Sequence, residues 1–349
     1  METLNFVNLI QAATVGASVL AGMLLWRYPA FKGVSTLFGL VALASIINIL
    51  EESGLTRDLY LLSPIFVMLF GPAIYLAIKR LTGPLEQTLW LHLLPVLPLV
   101  LMTTQVQLVI ALGSVWRLAY AFFTATMLWQ YKRSLEQERS DADDFSVTWL
   151  VWLVLITAGF NLIDVIRLNT QHLIGHEMNL LGQGMNNLVW LIVIIVITVK
   201  ILEQGALPYR TIIDADKSEE GSRVNPSDNS NDAVVEQYRG TFQELDKLIS
   251  THQWYLKPKL TLSQLSELTG LQTREISRAI NLVANQSFND YINKYRVQQV
   301  CEQLQQSANK SLTDLASNAG FSSKASFNQV FKQVMGTTPS EYKRAQQAN

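Results

Sequence analysis

The chain has 349 residues, 49% of them hydrophobic and 16% charged, with 27 Lys and Arg against 28 Asp and Glu for a net charge of −1. A balance this apolar, with a positive mean hydropathy, excludes a soluble protein of this size as a whole. The single cysteine, Cys301, excludes an intramolecular disulfide, fits a reducing compartment and has no metal-ligand neighbours.

In chain order, charge-free runs occupy Thr3 to Trp26, Gly33 to Leu50, Leu59 to Ile78, Gln87 to Trp116, Leu118 to Tyr131, Phe145 to Ile163 and Met178 to Val199. Several reach the roughly 20 residues that cross a hydrocarbon core. Buried core helices of a soluble protein are the competing explanation, and seven such runs in about 200 residues argue against it. The boundary between the fourth and fifth helices falls inside the long run from Gln87, at a short polar loop near Thr103 to Gln107 or at a later one near Gly113 and Ser114. The expectation is an all-α chain whose residues 1–203 form a seven-helix transmembrane bundle.

Basic residues set its orientation. Arg27, Lys32, Lys79, Arg80, Lys132, Arg133, Arg139 and Lys200 fall on one side of a seven-helix threading, and only Arg57 and Arg167 on the other. The basic side faces the cytoplasm, so the N-terminus is outside and the C-terminus in the cytoplasm of a bacterial plasma (inner) membrane. Glu2, and the lack of a basic residue before Arg27, speak against a cleaved signal peptide.

Ionisable groups inside a bilayer are costly and mark candidate functional positions. Arg117 lies within the fifth run and Asp164 near the outer end of the sixth, so the two are a candidate sensing pair. An outward-facing polar pocket would add Asn48, Glu51, Glu52, Asn161 and Arg167, with loop solvation as the plainer alternative. His172 and His176 have a helical ligand spacing, but Gly175 intervenes and no HExxH order is present, so no metal site is expected. His92 among Pro95 and Pro98 marks a kinked helix.

Residues 204–233 hold Pro208, Gly221 and Pro226 among Asp, Glu, Ser and Asn, the composition of a flexible acidic linker. A domain over 234–349 follows. Val235, Tyr238, Phe242, Leu245 and Ile249 are spaced 3, 4, 3, 4, which suits a short coiled-coil seam or a helix packed on its own domain, and Gly240 favours the second.

Two similar helix pairs come next, over about 261–283 and 311–335. Leu262, Leu265, Gly270 and Leu271 match Leu312, Leu315, Gly320 and Phe321, after which Ile276 and Ile280 match Phe327 and Phe331. Asn285 and Gly336, the residue types that most readily take the left-handed conformation, close the second helices. Ser287 to Tyr291 parallels Thr338 to Tyr342. Phe327, Val330 and Phe331 form a buried stripe, leaving Lys324, Ser326, Asn328 and Gln329 to face a groove. From Asn289 to about Gln306 one helix joins the pairs, roughly 27 Å long at 1.5 Å per residue. That is close to one turn of B-DNA, about 34 Å, so two helix-turn-helix readers can enter successive major grooves.

The stretches YLKPKLTLSQLSELTGLQTREISRAIN (Tyr255 to Asn281), FNDYINKYRVQQV (Phe288 to Val300) and LASNAGFSSKASFNQVFKQVMGTTPSEYKR (Leu315 to Arg344) resemble the AraC type of transcription regulator. The resemblance covers about Trp254 to Arg344. It implies sequence-specific binding of double-stranded promoter DNA, usually to activate transcription, with RNA polymerase as a partner. By position it makes Arg274, Ser277 and Arg278 the first reader and Lys324, Ser326 and Gln329 the second. Gln329 stands where the family commonly has Arg, and Gln272 where a Ser usually caps the helix, which leaves Thr273 as the expected cap.

Charge agrees with that reading. From Gln253 to Asn349 there are eleven Lys and Arg against six Asp and Glu, a net of +5 within a chain of −1, suited to phosphate attraction. No nucleophile elbow, phosphate loop, kinase loop or zincin motif is present, so neither an enzyme nor a cofactor is expected. The expected partners are promoter DNA, as the resemblance implies, the lipid bilayer and an unknown small ligand or membrane signal, with a homodimer as an open alternative to a single chain. The alternative is a transporter or channel with a fused regulatory helix-turn-helix domain, for which internal inverted repeats would speak; a third is a helix-turn-helix region that binds only protein.

Overall fold

The computed structural model describes residues 6–56, 61–83, 89–92, 94–96, 105–170, 173, 175–205, 207–208, 230–306 and 310–348. Among them the chain is helical, with one isolated antiparallel bridge between Arg139 and Thr261. It divides into two compact units, Met1–Trp129 with Val147–Thr211, and Gln130–Ser146 with Ile212–Asn349.

The first unit holds α1 (Phe6–Trp26), α2 (Lys32–Glu52), α3 (Ser63–Thr82), most of α4 (Val106–Glu138), α5 (Thr148–Asn169) and α6 (His176–Gln204). These are six helices long and apolar enough to cross a membrane. The expected fourth span falls largely outside the described residues, which there comprise the short turns Leu89–His92 and Leu94–Val96. No break occurs near Gly113 and Ser114, because α4 runs through both.

Packing in this unit inverts the usual soluble pattern. On α1 the buried residues include Asn8, Gln11, Thr14 and Ser18, while Leu9, Leu20 and Met23 are about 70% exposed (73%, 71% and 69%). In water the outward face would be costly at about 25 cal/mol per Å² of apolar surface, whereas in lipid the same face is matched to its solvent. Small residues let the helices approach closely. A Cβ at Gly33 would meet the Ala77 Cα at 3.1 Å, and one at Gly71 the Arg117 Cα at 3.1 Å. Ser35 Oγ donates to the Gly22 carbonyl at 2.6 Å, as short hydroxyl side chains do where helix backbones come close.

The second unit contains α7 (Ser230–His252), α8 (Leu262–Thr269), α9 (Thr273–Ala279), α10 (Phe288–Gln306), α11 (Leu312–Asn318), α12 (Lys324–Met335) and α13 (Pro339–Ala348). Most of the expected linker lies outside the described residues, and α7 begins at Ser230, within its last residues. That helix packs on its own domain. Leu245 and Ile249 are fully buried in one core with Leu265, Ile276 and Ile292, and Asp246 accepts hydrogen bonds from the phenols of Tyr291, at 2.7 Å, and Tyr295.

Local signals explain where the helices stop. Thr261 caps α8, its Oγ1 accepting from the Gln264 amide at 3.2 Å while the Gln264 side chain accepts from Thr261 N–H at 3.1 Å, a capping box contributing about 1 kcal/mol. Gly270, Gly320 and Gly336 take φ of 73°, 89° and 72°, and Asn285 takes 53°. Only at Gly320 does the surrounding backbone also forbid a side chain: a Cβ there would lie 2.7 Å from the Leu256 carbonyl oxygen.

The duplication extends to the caps that follow each pair. Ser287 Oγ accepts from the Asp290 amide at 3.1 Å, and Thr338 Oγ1 from the Glu341 amide at 3.3 Å. Helix α10 bridges the two pairs, with Phe288, Tyr291 and Ile292 in the first core and Val297, Val300 and Leu304 in the second. At 19 residues it is roughly 28 Å long. Phe327 and Phe331 are 1% and 0% exposed in the second core, each contributing about 1.5–3 kcal/mol by leaving water.

Candidate nucleic-acid interface

Each helix pair offers one second helix as a reader. In the first, α9 is preceded by Gln272, whose extended backbone makes it the cap residue, and the Glu275 carboxylate accepts from the Gln272 N–H at 3.3 Å. Thr273 is thus the first helical residue and not the cap. The glutamate reaches back to the entering backbone, so the helix start does not need a serine hydroxyl. After Ala279 the helix widens into a π turn over Ile280–Ala284 and ends at Asn285.

Ile276, Ala279 and Ile280 of this helix are fully buried, leaving Arg274 exposed and Ser277 and Arg278 half-buried. Ser277 Oγ accepts from Asn281 at 3.3 Å, and Arg278 donates to the Tyr238 phenol of α7 at 3.3 Å. Arg274 and Arg278 are one helical turn apart, so their cationic groups rise from adjacent positions of one face.

In the second pair, Ser323 caps α12, its Oγ accepting from the Ser326 N–H at 3.0 Å. Lys324, Asn328 and Gln329 are exposed, as a groove-facing set requires. Ser326 differs from the expectation: it is 5% exposed. It stands in the first turn beside Phe327, and its backbone N–H is tied to the cap residue Ser323.

Pattern alone did not reveal the segment that meets this second reader. Residues 139–146, which follow α4 directly, fold with the second unit. Ser140 N–H donates to the Leu260 carbonyl at 2.9 Å beside the Arg139–Thr261 bridge. Arg296, at the middle of α10 and 1% exposed, donates to the Ser140 carbonyl at 3.1 Å and hydroxyl at 2.9 Å, and to the carbonyls of Tyr255 at 2.8 Å and Lys257 at 2.9 Å. Burial lowers its pKa to about 10, against the opposing fields of Asp141 and Asp144, so it is charged at neutral pH.

Asp143 accepts from Asn289 at 2.8 Å, Asn293 at 3.2 Å and Gln329 at 3.5 Å. Asp144 accepts from the hydroxyls of Ser322 at 2.5 Å and Ser323 at 2.7 Å. Burial raises the Asp143 pKa from its usual value, the Asn289 hydrogen bond opposing it. The three aspartates between Arg139 and Phe145 were the only available signal in the sequence, and an acidic loop is ordinarily just solvated.

The candidate sensing residues of the first unit interact through their charges, with Asp164 acting on Arg117, while the direct contacts of each go elsewhere. Asp164 bonds Arg167, three residues on, at 2.7 Å, a contact its own helix turn makes easier than one to another helix. Arg117 instead lies over the rings of Phe70 and Trp190, 5.7 and 5.4 Å from their centroids, a cation–π arrangement suited to a site without water. Glu52 accepts from Asn8 and Gln183, whereas Glu51 caps α3, taking the Leu62 and Ser63 amides at 2.6 and 3.1 Å. The expected outer polar residues therefore split, with Glu52 and Arg167 both reaching α6, through Gln183 and Asn179. Arg57, His172 and the side chain of His176 lie outside the described residues.

A family model described as a helix-turn-helix domain matches residues 265–345. The match spans α9, α10 and both members of the second pair, and it supports the AraC-type assignment of this region as a DNA-binding domain. Neither a curated protein nor a solved structure matches the chain.

Proposed function

We propose that the chain is a membrane-embedded one-component transcription regulator, in which a membrane or extracytoplasmic stimulus reaching the apolar helices alters promoter binding by the C-terminal domain. The observation that carries this reading is the duplicated helix-turn-helix on one bridging helix. Two second helices with exposed Arg274, Lys324 and Asn328 are held by a shared α10 roughly 28 Å long, near the spacing of successive major grooves. The net of +5 over Gln253 to Asn349 supplies phosphate attraction. The inverted burial of α1 and the six long apolar helices support insertion in a bilayer, and the basic bias of the helix ends supports a cytoplasmic C-terminus.

In this reading Arg274, Arg278, Lys324, Asn328 and Gln329 contact DNA, while Arg117 and the Asp164–Arg167 pair belong to the stimulus-sensitive part. Genome-wide DNA occupancy of the full chain in its host, with and without membrane perturbation, tests it. Discrete sites whose occupancy responds are expected. Uniform background occupancy in both conditions would sink the proposal.

A further inference from the structure

The segment 139–146 joins α4, which ends at Glu138, to α5, which begins at Thr148. Both helices are long and apolar enough to cross a membrane, and almost no slack separates them. The chain connection on the other side of the second unit is longer, from Gln204 to Ser230. A shift of α4 or α5 would act on this segment at its two covalent ends.

What the segment touches decides what such a shift does. Its first half is stapled to α10 by buried Arg296, through the Ser140 carbonyl and hydroxyl. Its second half lays two carboxylates on the start of the second recognition helix: Asp144 on the cap Ser323 and its neighbour Ser322, Asp143 on Gln329. The start of a helix is where unsatisfied N–H groups and the positive end of the dipole attract anions. On a DNA-reading helix that ground is suited to a backbone phosphate. The carboxylates thus hold a place that phosphate oxygens would need, and one engages a groove-facing side chain. Arg274 of the first reader stays exposed.

We infer that residues 139–146 are an autoinhibitory clamp, an acidic loop that stands in for DNA phosphate on the second recognition helix and must be withdrawn through α4 and α5 before that helix can enter its groove. The inference rests on the DNA-reading proposal and names its regulation. Docked, the chain reads DNA with its first helix alone; undocked, it reads with both. The clamp is poised to yield, because burial makes the Asp143 charge costly in the docked state.

The test uses the full chain in lipid nanodiscs and the duplex best bound by the Asp143→Asn/Asp144→Asn variant in a randomised DNA library. A loop docked about nine-tenths of the time lowers apparent affinity about ten-fold. The variant should therefore bind about ten-fold tighter than the native chain and protect two major grooves where the native chain protects one. The exposed pair Glu267→Gln/Asp314→Asn removes the same charge away from the loop, and should change affinity much less. In a Cys301→Ser background, Asp144→Cys with Ser322→Cys should cross-link on oxidation, confining protection to one groove until reductant restores the second.

Equal binding by the native chain and the Asp143/Asp144 variant overturns the clamp. So does an equal gain from the Glu267/Asp314 control, failure of the cross-link to form, or two-groove protection by the cross-linked chain. If no chain selects any duplex although the cross-link forms, the DNA-reading proposal itself has failed, and the docking stands without that purpose.

Discussion

The guanidinium of Arg278 donates to the phenol of Tyr238 at 3.3 Å, which ties a nominated base reader of α9 to the amphipathic helix α7. The bond leaves other N–H groups of the guanidinium to face DNA, since arginine carries five donors, and it fixes the direction in which they point. Arg278→Ala should cost about 1–3 kcal/mol of binding and relax specificity at one or two base positions. Tyr238→Phe removes only the orienting bond and should cost less, without changing which bases are preferred. Selection from a randomised duplex library with each variant checks this. A loss that is uniform over all sequences for Arg278→Ala would reassign it to a phosphate contact.

Two glycines with nearly the same backbone separate conformational strain from crowding. Gly336 has φ of 72° and open space around it, whereas Gly320 has φ of 89° and the Leu256 carbonyl oxygen 2.7 Å from where a Cβ would sit. Gly336→Ala should cost about 1 kcal/mol, the left-handed penalty alone. Gly320→Ala must also displace the Leu256 backbone and should cost more than about 2 kcal/mol. Denaturant unfolding of the second unit compares them directly, and equal losses would show that the α11–α12 turn relaxes at no cost.

These turns also mark how far residue pattern reaches into structure. Asn285, Gly320 and Gly336 were legible because few residue types tolerate positive φ, and the paired cores were legible because Leu265 and Leu315, or Ile280 and Phe331, recur at fixed offsets. The burial of Arg296 was not legible. Apart from Asn293 one turn back, its partners are backbone carbonyls and Ser140, 156 residues away, and periodicity contains no trace of those. The burial of Ser326 was not legible for a related reason: helical spacing places it off the Phe327–Phe331 stripe but does not show what packs on the first turn. The direct bond of Asp164 to Arg167 was missed because the Arg117–Asp164 pair was drawn from depth in the bilayer alone, which says nothing of a partner three residues along the same helix.

Topology can be tested segment by segment. A reporter active only in the cytoplasm should work when fused after Arg139 or Glu203 and fail after Glu52 or His172, since basic residues cluster at the ends of the helices that precede the first two points. Activity after Glu52 would reverse the orientation and put the DNA-reading unit on the wrong side of the membrane.

Glu341 gives the second unit a pH signature. Its carboxylate accepts from the Thr338 amide and the Thr337 hydroxyl, both at 3.0 Å, and these bonds to the backbone and side chains lower its pKa from 4.5 to about 2. A carboxyl depressed by folding stabilises the fold above its unfolded value and loses that contribution as pH falls through the folded one. Stability of α13 on the second core should therefore decline between about pH 4.5 and about pH 2. Glu341→Gln should flatten that part of the curve, as followed by the near-ultraviolet signal of the second unit. An unchanged acid limb would mean that the capping box contributes nothing there.

The fragment from Ser230 to Asn349 should fold and bind DNA by itself. It keeps both cores, including Leu245 and Ile249 of α7, enough apolar surface for a small domain. Removing residues 139–146 deprives Arg296 of Ser140 but leaves the carbonyls of Tyr255 and Lys257 at 2.8 and 2.9 Å, and water can take the released donors. Two readers on one bridging helix should protect two consecutive major grooves about 10 bp apart on one face of the duplex. Affinity should fall steeply with salt, because eleven Lys and Arg against six acidic residues act through phosphate neutralisation and counterion release. Lacking the acidic loop, the fragment should also bind more tightly than the full chain in nanodiscs. Footprinting and a salt series on the fragment, with a titration of the full chain in nanodiscs beside them, check all three. A fragment well folded by circular dichroism that prefers no sequence at low salt would remove DNA reading as the purpose of the paired helices.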